Sequence, residues 1–565
     1  MQEHDDGGAN GILRVGCIVE NQPQCRWLLD LVQRSKSSGR YSIDLLIVQQ
    51  PSPSAGSNGN RRATGSRILD GVSRPIAAGC FAVISWLESI VVQTMTGFTG
   101  LWRKDPLETI PVPRLEVRPV PEGDGRCHRY VPEDIARIRR FGLDVLVLVD
   151  RTRVLAGEVL EVCPYGTLSL ERSGEHANLE GPPGFWEVVF RCPSTGFAIQ
   201  RLGGGAAPGE MLFRGAINTA PLYALNAANV LRKSWFFLHR FLDRLARDRA
   251  LPCGIEPAPD DRLLHGPPPL GAQARYLYRA FAHLSKRAAQ RIAGIRWRWG
   301  VAYQFAECWW TADLSRSTII PNPPRRFFAD PCIVNWHGLN VCFVEDYDQR
   351  VGRARITAIR IDNDGHQELG VALEEPFHLS YPFVFEADGE LYMCPESEQA
   401  REIRLYRCVE FPLKWQLHRV LMKEVAAVDT SIFFRQGRWW MLTNIDSAEI
   451  GDYRSELHAF HAETFDAQHW LPHAANPVVF DSERARNGGL IRTGDEIYRV
   501  FQVQGFDVYG ESMGVARIDQ LSEQDYAEQT VAAFRPTFLP GIAGVHSLSI
   551  EGRLLVLDFV KRQRI

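Results

Sequence analysis

Two short stretches of this sequence set a carboxylate at the head of an apolar strand: Asp330 in FADPCIV and Asp429 in VDTSIFF. A third acid, Glu396 in MCPES, closes a strand of the same kind. Carboxyl groups crowded into one cleft push each other's pKa values apart, so that one holds a proton while another stays ionised. Glycosyl transfer or cleavage through an oxocarbenium-like transition state requires such a pair. Asp330, Asp429 and Glu396 are therefore the catalytic candidates. Glu345 and Asp346 end the strand that follows Asp330, and Tyr381, Arg486, Asn487 and His546 complete a set suited to sugar hydroxyls or an anionic group. Each has a plainer reading. Asp-Pro also opens turns, strand ends often carry solvated charge, and the glycine pair after Asn487 also permits a tight bend. A channel histidine is more often a hydrogen-bonded packing residue than a catalyst.

These residues are distant in sequence, so only a repeated fold gathers them. Five segments share one pattern: FADPCIVNWHGLNVCFVED, SYPFVFEADGELYMCPES, VDTSIFFRQGRWWMLTN, RNGGLIRTGDEIYRVFQ and VHSLSIEGRLLVLDF. Each has a small or polar triplet, an apolar strand, a tight turn with glycine and a second strand. The turn glycines are Gly338, Gly389, Gly437, Gly494 and Gly552, separated by 51, 48, 57 and 58 residues. That spacing is one four-stranded propeller blade. A small sheet with two apolar faces needs neighbours on both sides, and ring closure removes the exposed ends. RWRWGVAYQF (296–305) is expected to give a strand to the first or last blade. The triplets then bring Asp330, Tyr381, Asp429, Asn487 and His546 to one channel mouth. The second-strand ends add Glu345, Asp346, Glu396, Asn444 and Gln502.

With its ADP, YPFVF, DTSIF, RNGG and HS blade starts, the region 296–565 resembles the five-bladed propeller of glycoside hydrolase families 43, 32 and 68. It is closer still to the N-terminal domain of plant glucosamine inositolphosphorylceramide transferases and their bacterial relatives. In the hydrolases one Asp acts as base or nucleophile, a second Asp tunes pKa and a Glu is the acid. By motif position Asp330 matches the first, Asp429 resembles the second, and Glu396 is assigned to the third. The superfamily holds hydrolases, transferases and phosphorylases, so the resemblance implies sugar chemistry without choosing the reaction.

The first third alternates strand and helix: RVGCIV (14–19), CRWLLDLVQRS (25–35), SIDLLIV (42–48) and PEDIARIRRFGLDVLVLVD (132–150). This predicts a mainly parallel sheet of Rossmann-like type. FGLDVLVLVD, GTLSLERSGEHANLEGPPGFWEVVF and GGGAAPGEML together resemble the domain of formyltransferases that use a formyl-tetrahydrofolate. That family's catalytic Asn, His and Asp fall here on Ser169, Glu171 and Ala207, so the resemblance implies a scaffold that has lost formyl transfer. A shifted alignment instead puts the catalytic histidine at His176.

The fold class expected is multidomain: a formyltransferase-like α/β domain (1–240), a helical and Pro-rich linker (241–295) and an all-β five-bladed propeller (296–565). Apolar content of 45%, charged content of 23% and net charge −3 suit a globular protein and give no bulk attraction to nucleic acid. The 12 cysteines include no C-x-x-C pair and are expected as free thiols in a reducing compartment. The acidic N-terminus has no apolar segment, which points to a cytoplasmic location. No cofactor or metal is expected. The partner expected is a sugar, nucleotide-sugar or lipid-linked sugar in cell-surface glycan or glycolipid synthesis. The alternatives are a non-catalytic sugar-binding scaffold and a formyltransferase acting on an amino sugar. Residues 76–98 are the most hydrophobic stretch and are expected as a core-packed helix. The basic helix at 230–248 is expected to dock between domains, with peripheral membrane contact left open.

Overall fold

A strand that alternates apolar and polar residues buries one face, and a strand apolar on both faces needs cover from two sides. Both cases occur in this chain. The computed structural model describes residues 11–50, 66–96, 104–122, 127–149, 154–172, 181–203, 209–255 and 268–564. It divides into two compact units. Unit 1 comprises 1–190, 195–215 and 220–277, and unit 2 comprises 191–194, 216–219 and 278–565.

Unit 1 is built on a seven-stranded sheet. Its order is Glu210–Asn218, Ser194–Arg201, Thr167–Glu171, Val145–Leu148, Leu13–Glu20, Tyr41–Gln49 and Arg114–Val117. The last five strands run parallel, and Ser194–Arg201 runs antiparallel to Thr167–Glu171. Alternate residues of these strands feed two cores. Val15, Cys17 and Val19 pack under the helices Arg26–Ser38 and Tyr223–Asp248, while Ile18, Leu45 and Ile47 pack under Pro132–Arg139.

Two helix expectations are corrected here. The basic helix spans Tyr223–Asp248, crosses the boundary expected at 240, and belongs to the core of unit 1 through Trp235, Leu238, Phe241, Leu242 and Leu245. An open sheet face takes up its apolar stripe, so it is no inter-domain strap. The hydrophobic stretch forms the helix Ser66–Thr96, but only 11% of its window Pro75–Thr94 is buried. It docks by one face alone.

Unit 2 contains five sheets that follow one another in sequence. Blades I, II and IV are plain four-stranded meanders, 326–373, 380–423 and 487–534. Blade III runs 427–480, its outermost position shared by two short strands. Blade V is assembled from both ends of the unit. Ile295–Phe305 pairs antiparallel with Leu554–Arg564, flanked by Thr318–Ile320 on one side and by Ile542–Gly544 and Leu548–Glu551 on the other. The innermost strand of each blade touches that of the next, and Leu548–Glu551 of blade V touches Arg326–Trp336 of blade I, so the ring is closed. Every neighbouring pair of blades shares its own apolar core. Examples are Val556 with Phe328 (V and I), Met393 with Phe343 (II and I), and Ile518 with Trp440 (IV and III).

The ring is tight between blades IV and V. A Cβ on Gly489 (φ +144°) would stand 2.2 Å from the Leu548 carbonyl oxygen, whereas one on the turn glycine Gly338 (φ +83°) would meet nothing within 4 Å. Asp346 is fully buried in blade I. Arg326 grips it with Nε at 2.7 Å and Nη2 at 2.5 Å, Arg355 Nε donates at 3.1 Å and Thr357 Oγ1 at 2.8 Å. Asp346 is thus a fastener between strands rather than a substrate ligand, because its oxygens already have four donors.

Gly489→Ala is expected to destabilise unit 2 by about 3 kcal/mol and Gly338→Ala by about 1 kcal/mol, since only the first adds a backbone collision to the left-handed strain. Urea unfolding of the two variants measures the difference. Asp346→Ala leaves two arginines facing a vacated carboxylate and should cost about 3–5 kcal/mol. A melting temperature equal to wild type would remove the fastener role.

Candidate functional site

The inner strands of blades I, II and III share a local device. Strand pairing slips between Ala329 and Cys332, between Ser380 and Phe383, and between Val428 and Ser431. In each bulge the second residue takes a left-handed backbone: Asp330 at φ 46°, Tyr381 at 41° and Asp429 at 51°. A bulge turns a side chain out of the sheet's alternation. Blade IV slips at the same place, with Asn487 in the slot and Gly489 just beyond it. The pairings before the bulges, Ala329–Glu345, Ser380–Glu396 and Val428–Asn444, put the second-strand residues beside the slots. Gln502 holds the matching place in blade IV, its N–H donating to the Arg486 carbonyl at 2.8 Å.

Asp429 is buried, and its Oδ2 accepts from Arg486 Nε at 2.6 Å and from Gln502 Nε2 at 3.1 Å. Arg486 also reaches toward Glu396, Nη2 to Oε2 3.8 Å, and its guanidinium lies over the Tyr509 ring at 5.2 Å. Burial, followed by the charge of Asp429, pushes the Glu396 carboxyl well above its usual range. Burial, followed by Asp330 and Glu396, does the same to Glu345. Burial pushes Asp330 up to about 6, against the pull of His546 and with help from Asp429 and Asp558.

His546 belongs to blade V. Its Nδ1 lies 2.6 Å from Asp558 Oδ2 and its Nε2 3.4 Å from Asp330 Oδ1. The ring stacks on Trp299 at 3.9 Å between centroids. Burial pulls its pKa down, but Asp558, Asp330 and Asp429 outweigh that and raise it. Asp558 accepts from the backbone N–H of Asp330 (3.2 Å), His546 (3.1 Å) and Ser547 (3.0 Å). Burial raises Asp558, yet His546 and these donors hold it below the usual carboxylate range.

Acids from blades I, II, III and V, with a cation from IV and another from V, therefore form one group. Asp330, Glu345, Glu396, Asp429, Arg486 and His546 are joined in it by contact or by mutual charge. Tyr381 lies beside it, its hydroxyl 3.0 Å from Ser431 Oγ. Asn487 ties strands through its nitrogens, while its Oδ1 is buried without a hydrogen-bond partner among the described residues. Its Nδ2 donates to the carbonyls of Asp429 (2.8 Å) and Leu442 (3.1 Å), and its N–H to Asn444 Oδ1 at 2.9 Å. Asp346 is held in the fastener described above. A cavity of about 1000 Å³ runs along the inner strands toward their turns, with Asp330, Tyr381, Phe385, Trp439 and Trp310 in its wall. Side-chain exposure of 10–14% is kept by Asp330, Glu345, Glu396 and Arg486, against 2% for Asp429 and none for Asp558. The first four are the members of the group that keep some solvent exposure, and of these Asp330 lines the cavity.

The sequence reading passed over Asp558, Tyr509 and Trp299. Asp558 had a signal: it is the single acid inside LLVLDFV. Tyr509 is the second residue of the strand Val508–Leu521. Asp330, His546 and Asp558 offer ligand atoms within 4.8 Å of one another, a spacing that suits a metal ion as well as a shared proton. In unit 1, Ser169 Oγ donates to Glu171 Oε1 at 2.7 Å, both buried, while His176 and Ala207 lie outside the described residues.

Residues 299–536 match the family described as glucosamine inositolphosphorylceramide transferase 1, N-terminal. Glucosamine inositolphosphorylceramide transferase 1 of Arabidopsis thaliana is 34% identical over 214 residues, and that of Oryza sativa subsp. japonica 32% over 213. Each match covers 37% of this chain and spans only 28% of the relative's length. Among solved structures, a thermostable family-43 glycoside hydrolase aligns with TM-score 0.30 and 13% identity, covering 37% of this chain and 76% of its own. A family 117 glycoside hydrolase from Zobellia galactanivorans aligns with TM-score 0.31 and 10% identity, covering 46% and 90%. The C-terminal region is thus a large all-β propeller with a carbohydrate-related family match.

Proposed function

We propose that unit 2 is a glycosyl-transfer module working on a sugar donor and a lipid-linked or sugar acceptor, with its chemistry at the acid group of the channel. The observation that carries this is the convergence of Asp330, Glu345, Glu396 and Asp429 from three blades beside Arg486 and His546, with burial raising Asp330, Glu345 and Glu396. The match to glucosamine inositolphosphorylceramide transferases supports the substrate class. In this reading Glu396, whose proton burial and Asp429 make harder to lose, gives that proton to the leaving oxygen as the bond to the anomeric carbon breaks. Asp429, held by Arg486 at 2.6 Å, keeps Glu396 protonated. Asp330, its carboxylate charge balanced by His546 that Asp558 orients, takes the proton of the attacking hydroxyl and becomes neutral. The donor is a nucleotide-sugar and the location cytoplasmic. Unit 1 serves as a formyltransferase-like scaffold in which the Ser169–Glu171 pair stands where formyl transfer needs an imidazole.

A second reading is a sugar-binding module without catalysis. It is favoured by how completely Arg486, Gln502 and Asn487 tie up Asp429 and its backbone.

Assays with a panel of nucleotide-sugars and inositol-phosphoryl lipids decide between the two. Glu396→Gln, Asp429→Asn and Asp330→Asn should each lower transfer by about 100-fold or more while leaving ligand binding within a few fold. Wild-type turnover in all three variants would end the catalytic assignment.

The shifted groups also set how stability depends on pH. Asp330 binds its proton more tightly folded than unfolded, so stability falls as pH rises from 3.8, the usual value, to about 6. His546 is raised above 6.5, so its contribution is fully present below 6.5 and is lost as pH rises through its folded value. Both slopes have the same sign. Urea unfolding between pH 4 and 8 should show a loss on the order of 2 kcal/mol that is smaller in Asp330→Asn. Identical slopes in the two proteins would overturn the assignment.

A further inference from the structure

Arg454 is a cation that the fold does not neutralise. It lies in the connection 446–455 between the second and third strands of blade III, at the end of the blade that carries the Asp429 slot. That connection is a built turn. Asp446 Oδ2 accepts from the N–H groups of Gly451 (2.6 Å) and Asp452 (3.0 Å). Asp452 spends its own carboxylate on the N–H of Arg454 (3.1 Å) and the hydroxyl of Ser455. The Arg454 guanidinium is left with one neutral partner, Asn218 Oδ1 at 2.8 Å, and with the Tyr509 ring, 5.4 Å from its centroid. No acid pairs with it among the described residues, whereas Arg486, over the same ring at 5.2 Å, is held by Asp429. A guanidinium needed only to offset the excess of acid would pair with it as Arg486 does. Arg454 stacks on Tyr509 instead.

Tyr509 has the complementary property. Its ring is gripped by His546 at 5.3 Å and Trp299 at 6.1 Å, both near perpendicular. Gly510 lets the chain come so close that a Cβ there would stand 2.8 Å from that of His546. The Tyr509 hydroxyl nevertheless makes no hydrogen bond among the described residues and is not sealed from solvent. Burial, which outweighs the pull of Arg486 and is joined by Asp429, Asp330 and Glu396, raises the phenol's pKa, so the hydroxyl stays a donor. Two donors without anionic partners thus share one ring beside the acid group, and all of these residues belong to unit 2. A cation 5.4 Å over a ring stands roughly 6 Å from that ring's hydroxyl, a gap that one phosphate bridges with two of its oxygens.

We propose that Arg454 and the Tyr509 hydroxyl form an anion site that takes a phosphate group of the substrate at the edge of the acid group. The guanidinium's planar fork gives parallel N–H···O bonds to two phosphate oxygens, and the tyrosine O–H donates to a third. The inference rests on the transfer reading above, in which a nucleotide-sugar carries a phosphate on the oxygen that leaves the anomeric carbon. The donor's pyrophosphate and a phosphodiester on the acceptor share this chemistry.

Calorimetric titration of the full chain tests it, with inorganic pyrophosphate, inositol 1-phosphate, uncharged inositol and glucuronate as probes. Wild type should bind at least one phosphorylated probe about tenfold or more tighter than inositol. Arg454→Gln should weaken that probe about tenfold or more and Arg454→Lys less, because a point charge replaces the fork. Tyr509→Phe, which keeps the ring, should weaken it about threefold or more. Inositol binding should not change. A loss confined to pyrophosphate assigns the site to the donor, and one confined to inositol 1-phosphate assigns it to the acceptor. Binding is read without turnover, so phosphate held by a protein that transfers nothing would end only the transfer reading. The proposal is overturned if neither phosphorylated probe outbinds inositol, if Arg454→Gln or Tyr509→Phe binds them as wild type does, or if glucuronate is held more tightly than either.

Discussion

The structure of unit 2 depends on the antiparallel pairing of Ile295–Phe305 with Leu554–Arg564. That ladder joins the first and last strands of the unit within blade V, and blades I and IV, which flank it, need it to cover the faces they turn toward it. It also sets the chemistry. Asp558 lies on one of its strands and Trp299 on the other, and between them they fix His546 by a carboxylate on one ring edge and an indole on one ring face. Closure and the geometry of the acid group are one constraint here, because the residue that holds the histidine is part of the seam.

The group at the channel holds more acid than base. Asp330, Glu345, Glu396, Asp429 and Asp558 face Arg486 and His546 at close range. Charges buried without pairing are not tolerated, so the excess is relieved by holding protons. Asp558 and Asp429, nearest the cations, have the donors, while burial pushes the carboxyls of Glu345 and Glu396 well above their usual range. The division of roles follows from position in the ring and needs no special feature of any single residue.

Much of this was legible in the sequence because blade architecture repeats. The turn glycines marked the hairpins, and the triplets at Asp330, Tyr381 and Asp429 fell into equivalent bulges because all three blades slip register at the same step. Asp346 was misread since a carboxylate at a strand end looks alike whether it faces the channel or is gripped by Arg326 and Arg355 one residue out of phase. Asn487 was read as a ligand because its slot is right, and the structure shows its Nδ2 engaged by backbone carbonyls while its Oδ1 is buried without a hydrogen-bond partner among the described residues. Asp558 escaped since it breaks the pattern of its own repeat. The helix Ser66–Thr96 was expected in a core because hydropathy reports composition, and only packing reveals which face is turned outward.

The left-handed bulge has a consequence for how such a protein can diversify. Asp330, Tyr381 and Asp429 occupy the same backbone geometry with different side chains, and the strands on either side pair alike in each case. The strand scaffold is therefore indifferent to which residue it displays there. A substitution at one of these sockets thus changes the side chain displayed at the hole within an unchanged pattern of strand pairing.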